Sequence, residues 1–284
     1  MLSNSLQLKR DKWLVLPLLV FFALFVAAPL ALMAGISLFS DTAMTQMGGA
    51  QYAKFLFDGF NRAILFETLT LAASAVVISI LIGYPVAYLY TLLPRRWQTV
   101  LLFAILLPLL TSSVVRTFSW VVILGREGLI NQLLLSWGWT AVPLKLLYTP
   151  GAVMLAVSQI EMPMMILPLI AALSGIDPQL KDASTALGAG KWRTFLKVTF
   201  PLSIPGLLAG SILVFAASAS ALVTQTLVGG GRMIFMPFYI YQQAIQSQNY
   251  PFAATVAVIL LVSVLSIVAL VNFLGRRSAG FVHG

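Results

Sequence analysis

The sequence predicts an all-α integral membrane protein with six transmembrane helices and both termini in the cytoplasm. Three observations predict it. Of the 284 residues, 60% are hydrophobic and only 9% charged, with mean hydropathy +0.97, too few polar groups to cover a soluble domain of this length. Uncharged runs recur at lengths near the ~20 residues a helix needs to cross hydrocarbon. The basic residues stand in short clusters beside those runs, the pattern of a charge-oriented membrane protein. The net charge of +9 is therefore a matter of topology, and no nucleic-acid partner is implied.

Composition also excludes chemistry. Cysteine is absent, so there is no thiol nucleophile, thiolate metal site or disulfide framework. The one histidine, His283, lies in a polar tail. No Asp/Glu/His grouping has metal-ligand spacing, and no glycine-rich phosphate loop ends in Lys-Ser or Lys-Thr. No catalytic or metal site is assigned, and the chain itself does not hydrolyse a nucleotide.

In chain order, residues 1–12 form a cytoplasmic segment carrying Lys9, Arg10 and Lys12, and the membrane domain covers 13–275. The first span runs from Trp13 to Ser40, too long and too featureless at its end for a signal peptide. Asp41 to Glu67 mixes charges with aromatics, as in an external loop with one interfacial helix. Thr68 to Pro94 is the second span, closed by Arg95-Arg96, and the third covers about Trp97 to Trp120. Arg126 to Leu147 is apolar enough to suggest a further span, but Asn131, Gln132, Gly138 and Pro143 argue for an external helical segment. The fourth span runs from Tyr148-Thr149-Pro150 to about Leu173, the fifth from about Ile204 to Val228 and the sixth from Phe252 to Leu274; residues 276–284 form a cytoplasmic tail. This arrangement puts eleven of the seventeen basic residues inside, which fixes the orientation.

Between the fourth and fifth spans, residues 174–203 form the longest polar cytoplasmic stretch. Asp177-Pro178 is a helix start, with a capping carboxylate and proline at the first helical position. Ala183, Ala186 and Leu187 share a small, shallow face, and Gly188 offers a stop. Beyond it, Trp192, Phe195 and Leu196 fall on one side and Arg193 with Lys197 on another, as in a helix lying in the membrane interface. Pro201 and Pro205 then re-aim the chain.

Asp182-Ala183-Ser184, then Leu187-Gly188-Ala189, then Phe195, Val198 and Pro201 resemble the Glu-Ala-Ala loop of permease subunits of type I ATP-binding-cassette importers. The family pattern is Glu-Ala-Ala, two residues, Leu-Gly-Ala, a spacer, Phe and a proline; here Asp182 replaces Glu and Ser184 the second Ala. Gly83-Tyr84-Pro85-Val86-Ala87-Tyr88, Leu107-Pro108, Val115-Arg116-Thr117, Tyr148-Thr149-Pro150, Leu167-Pro168 and Pro205-Gly206 extend the resemblance to the spermidine/putrescine branch. Thr224-Gln225-Thr226 departs from the Thr-Pro that many of its members carry.

The resemblance implies the type I importer permease fold in a bacterial cytoplasmic (inner) membrane. It implies two cytoplasmic ATPase subunits, which use the ATP and Mg, a second homologous permease and an external or periplasmic solute-binding protein, with no cofactor bound by this chain. Asp182, Ala183, Ser184, Leu187, Gly188, Ala189, Trp192 and Phe195 become the residues that couple to an ATPase.

For the solute path the candidates are Glu161, Arg116, Tyr84 and Gln225. A carboxylate near mid-membrane is expensive and faces a partner or a wet cavity. Glu161 therefore either lines the path of a cationic solute or forms a structural ion pair; Arg116, roughly 9 Å away in depth by helix rise, is the partner within reach. An ATP-independent secondary transporter or channel using Glu161 as an ion or proton site is the alternative function. Asp58, Glu67 and Glu127 are external carboxylates, either solvated loop charges or groups that draw in cations.

Overall fold

The structure, a computed structural model, describes residues 16–279. The segment 1–12 with its basic residues, Trp13 and His283 lie outside them. Among the described residues the only β pairing is one isolated bridge, Phe39 to Met47. Six helical stretches are long and apolar enough to cross a membrane.

The helices are α1 (Leu16–Ile36), α2 (Ala50–Phe57), α3 (Gly59–Leu92), α4 (Arg95–Leu106), α5 (Ser113–Leu124), α6 (Leu129–Ser136), α7 (Pro150–Ser174), α8 (Pro178–Ala186), α9 (Lys191–Ala219), α10 (Leu222–Gly229), α11 (Met236–Tyr241) and α12 (Tyr250–Ala279). Among the described residues they form two compact units, 16–62 with 239–260 and 63–238 with 261–279.

In the first unit a turn precedes α2, and Asp41 organises it. Its carboxylate accepts from the Thr45 amide and hydroxyl and from the Gln46 amide. These bonds favour the charged form and hold Asp41 below the ordinary aspartate range, the Thr45 hydroxyl contributing most. The Ser37 hydroxyl lies 2.7 Å from Tyr52 Oη, and its carbonyl accepts from Thr255 Oγ1. Tyr239 packs edge-on to both Phe60 and Phe252; burial first, then the nearby Asp58 carboxylate, pushes its phenol upward.

The second unit is centred on α7, the most buried of the six spans. Its closest neighbour is α9, and the reason is small residues. Gly206 and Gly210, one turn apart, face α7 so closely that a Cβ would lie 2.6 Å from the Pro168 carbonyl oxygen at the first and 2.8 Å from Met165 Sδ at the second. Close backbone approach of this kind supplies the van der Waals contact that associates helices where lipid offers no hydrophobic contrast.

Three spans differ from the sequence reading. The second begins at Gly59, nine residues before Thr68. The third, expected as one helix from Trp97 to Trp120, is broken: α4 tightens to a 3₁₀ turn at Leu107–Leu110, Thr111 is extended, and Ser112 caps α5 through the Val114 amide. Pro108 removes a donor from the ladder and Ser112 supplies a new start. The longest apolar helical stretch there is Ser113–Ser136, interrupted by the turn Gly125–Gly128. Asn131, in the helix α6 beyond this turn, ties it back to both flanking segments: fully buried, it donates to the Gly125 and Leu144 carbonyls and accepts from the Leu144 amide.

The fifth span starts at Lys191 and not near Ile204. Pro201 and Pro205 do not break it. A π-helical segment, Phe195–Thr199, precedes Pro201 and absorbs the irregularity. The polar second half of the 174–203 loop is therefore the first turns of a membrane helix. That helix ends at Ala219, and α10 starts anew after Ser220 and Ala221.

Candidate functional site

The loop after α7 is built as a rigid projection. Asp177 Oδ1 accepts from the Gln179 amide at 2.9 Å and Pro178 occupies the first turn. At the other end Gly188 has φ +81. Its amide donates to the Thr185 carbonyl and the Ala189 amide to the Ser184 carbonyl, the paired bonds of a Schellman cap. Gly188 is thus a conformational requirement, and the space beyond it is open, since a Cβ there would meet nothing within 4 Å.

Two contacts fasten this projection to the bundle. Ser184 Oγ and Thr194 Oγ1 are 3.0 Å apart, linking α8 to α9. Phe195, half-buried, packs edge-on to Tyr84 and Tyr88 of α3 and stacks with Trp192. Ser203 donates to the Phe200 carbonyl, so the Tyr84 hydroxyl donates to Ser203 Oγ at 2.9 Å. The remaining coupling candidates divide by exposure. Asp182, Ala183, Leu187 and Gly188 are exposed, Leu187 at 89%, and Trp192 is 72% exposed, whereas Ser184 and Ala189 are half-buried. Phe195 fixes the elbow within the chain, and Leu187 with Trp192 remains available. Tyr84, a solute-path candidate from sequence, stands in the aromatic cluster beneath the elbow. A cavity of about 420 Å³ lies there, lined by Tyr84, Pro85, Tyr88, Lys191, Trp192 and Phe195.

The other path candidates sit where α5, α7, α9 and α10 meet. Arg116 Nη1 donates at 2.8 Å to the carbonyl of Ile160, the residue before Glu161. The depth offset inferred from sequence is closed because the long guanidinium side chain reaches across to α7; its hydrogen bond goes to backbone. One turn along α5, Trp120 Nε1 donates to Gln159 Oε1. Thr117 Oγ1 donates to the Ser113 carbonyl and so accepts from Thr224 Oγ1 at 2.9 Å. Gln225, fully buried, donates to the Ser218 carbonyl, while its Oε1 and Ser218 Oγ have no partner.

The sequence pattern singles out Glu161, Arg116 and Gln225 as path candidates, and the structure sets Thr117, Thr224, Gln159 and Ser218, which the pattern does not single out, beside them. Their signal, a small or amide polar residue in an apolar span, is shared with residues such as Thr226 and Ser211 that bond only to their own helix. Substituting Thr117→Val and Thr224→Val singly and together should give a coupling energy of about 0.6 kcal/mol, read from reversible unfolding in mixed micelles. A coupling indistinguishable from zero would remove this bond from the account.

Residues 79–279 match the family described as binding-protein-dependent transport system inner membrane component. The chain belongs to this family. It is the membrane permease subunit of an importer of the ATP-binding-cassette class, not an enzyme, and a multi-pass protein of the inner membrane. It is 31% identical over 203 residues to the spermidine/putrescine transport system permease protein PotB of Haemophilus influenzae, covering 72% of this permease and 71% of that protein. To PotB of Escherichia coli it is 29% identical over 222 residues, covering 78% and 80%. Its fold is similar to a chain in the crystal structure of a bacterial alginate ABC transporter in complex with an alginate pentasaccharide-bound periplasmic protein. The TM-score is 0.76 at 21% identity, with 96% and 97% of the two chains covered.

Proposed function

We propose that this permease forms half of a translocation pathway that imports polyamines, spermidine or putrescine, or a related small amine-bearing solute, and that the loop Asp182 to Gly188 with Ala189, Trp192 and Phe195 couples it to a cytoplasmic ATPase. The observation that carries the coupling half is the α8 projection, capped at both ends, with Leu187 and Trp192 exposed and open space over Gly188. A docking surface needs apolar anchors and small residues around them, and Ala183 and Gly188 supply the latter.

The cargo half rests on the resemblance to the PotB permeases and on acceptor chemistry. An ammonium leaving water needs compensating acceptors. Glu161 provides a carboxylate, and the free Gln225 Oε1 a neutral acceptor, while Arg116 holds the α7 backbone at Ile160.

One such loop serves one ATPase. The working assembly therefore comprises this chain, a second homologous permease, two ATPase subunits that use ATP and Mg, and an external solute-binding protein, with no cofactor on this chain. The chain is organised as a membrane domain over 13–275, with the coupling segment within 174–203 divided between the loop carrying α8 and the first turns of α9.

The test is reconstitution of that assembly in liposomes with the binding protein enclosed on the outer face. ATP-dependent uptake of radiolabelled putrescine or spermidine is expected. Uptake that proceeds without ATP would replace this reading by a secondary transporter or channel using Glu161, and ATP-driven uptake of other solutes only would overturn the cargo.

A further inference from the structure

A cavity of about 280 Å³ opens in the second unit between α3, the start of α7 and the segment before α11. Its walls include Phe66, Glu67, Leu71, Met154, Met233 and Phe235. The segment carrying Phe235 is pinned to α3, because the Met236 amide donates to the buried Thr68 Oγ1 at 2.9 Å. The cavity is therefore a built feature and does not depend on a free loop.

Its depth follows from helix geometry. Glu67 precedes Leu92, at the end of α3 beside Arg95-Arg96, by 25 residues, or roughly 38 Å of rise. A tilt of ~20° leaves that distance longer than the ~30 Å hydrocarbon core. On the orientation set by the basic clusters, Glu67 stands in the outer interface.

The chemistry of the walls is one-sided. Two aromatic rings, two thioethers, a leucine and a proline line the cavity with one hydroxyl, Thr70, and one carboxylate, and no Lys or Arg lines it. Ring faces and thioethers attract an ammonium and accommodate the methylene chain behind it, and Glu67 supplies the countercharge. The volume lies just below the range of pockets that take drug-sized ligands, which suits a short alkyl segment.

We propose that this cavity is an entry subsite for the terminal aminoalkyl segment of the cargo, with its ammonium against Glu67 and its methylenes between Phe66, Met154, Met233 and Phe235. This rests on the amine-import reading above.

The experiment uses the whole complex in nanodiscs, without binding protein, and 1,4-diaminobutane as the probe in saturation-transfer NMR. The probe should give a signal that Glu67→Gln reduces at least fivefold, that Glu67→Asp largely retains and that Asp58→Asn leaves unchanged. n-Butanol should give none that depends on Glu67. In proteoliposomes with saturating loaded binding protein, Glu67→Gln should lower maximal uptake at least fivefold with KM unchanged. Wild-type uptake of amines with unaltered binding in Glu67→Gln would sink the subsite and leave the cargo reading intact. An equal loss in Asp58→Asn would reduce it to general surface charge. A wild-type complex that neither binds nor imports any amine would remove both.

Discussion

Gly206→Val should leave little properly folded permease. The β-carbon it adds would lie 2.6 Å from the Pro168 carbonyl oxygen and 3.3 Å from Leu169 Cα. Both are backbone atoms of α7, so no side chain can rotate away and the two helices must part. Their separation also disturbs Gly210, whose Cβ position is 3.0 Å from Met165 Cα. Overpacking of this kind costs about 3 kcal/mol, and in a bilayer no gain in apolar burial offsets it, since lipid tails solvate the parted faces as well as protein does. The apparent melting temperature of the detergent-solubilised protein should fall by roughly 6–12 °C. Gly151→Ala, at a position where a Cβ meets nothing within 4 Å, should melt with the wild type. A monodisperse Gly206→Val protein with unaltered melting would show that α7 and α9 do not pack as described.

Gly188→Trp should give the opposite combination, a folded permease that no longer couples. The substitution places a side chain at φ +81, a backbone cost of about 1–2 kcal/mol confined to the end of α8. An added Cβ meets nothing within 4 Å and the neighbouring Leu187 is exposed, so insertion and melting should stay near wild type. The ring would stand on the surface formed by Ala183, Leu187 and Gly188, where the proposed ATPase must approach. Solute-stimulated ATP hydrolysis and uptake in the reconstituted complex should fall below a tenth of wild type. Gly188→Ala separates the two effects, because it carries the backbone strain without the bulk and should keep most of its activity. Normal uptake by the Trp variant would remove this loop from the coupling role.

The class and the six spans were legible in the sequence alone, as was the capped helix after the fourth span that carries the proposed coupling residues. These depend on local quantities. Twenty apolar residues cross a bilayer whatever their neighbours, basic clusters orient the spans, and Asp177-Pro178 and Gly188 start and stop a helix through bonds to residues at most five positions away. Span ends were less legible where proline was taken as a stop: Pro201 and Pro205 lie inside α9 because a π-helical segment accommodates them, whereas Pro108 marks a real break.

Which polar residues meet depends on how the helices pack. Thr117 and Thr224 are 107 positions apart, Arg116 and Ile160 44, and Tyr84 and Ser203 119, and no periodicity in one helix specifies such pairs. Packing also placed Tyr84 under the elbow with Phe195, and brought Phe235 beside Glu67 through the Thr68 hydroxyl. The reason is common to all of them. A polar side chain in a membrane helix must be satisfied away from water, and whether its own carbonyl ladder, a distant helix or a solute does so is settled by how closely the helices pack, which here follows from Gly206 and Gly210 against α7.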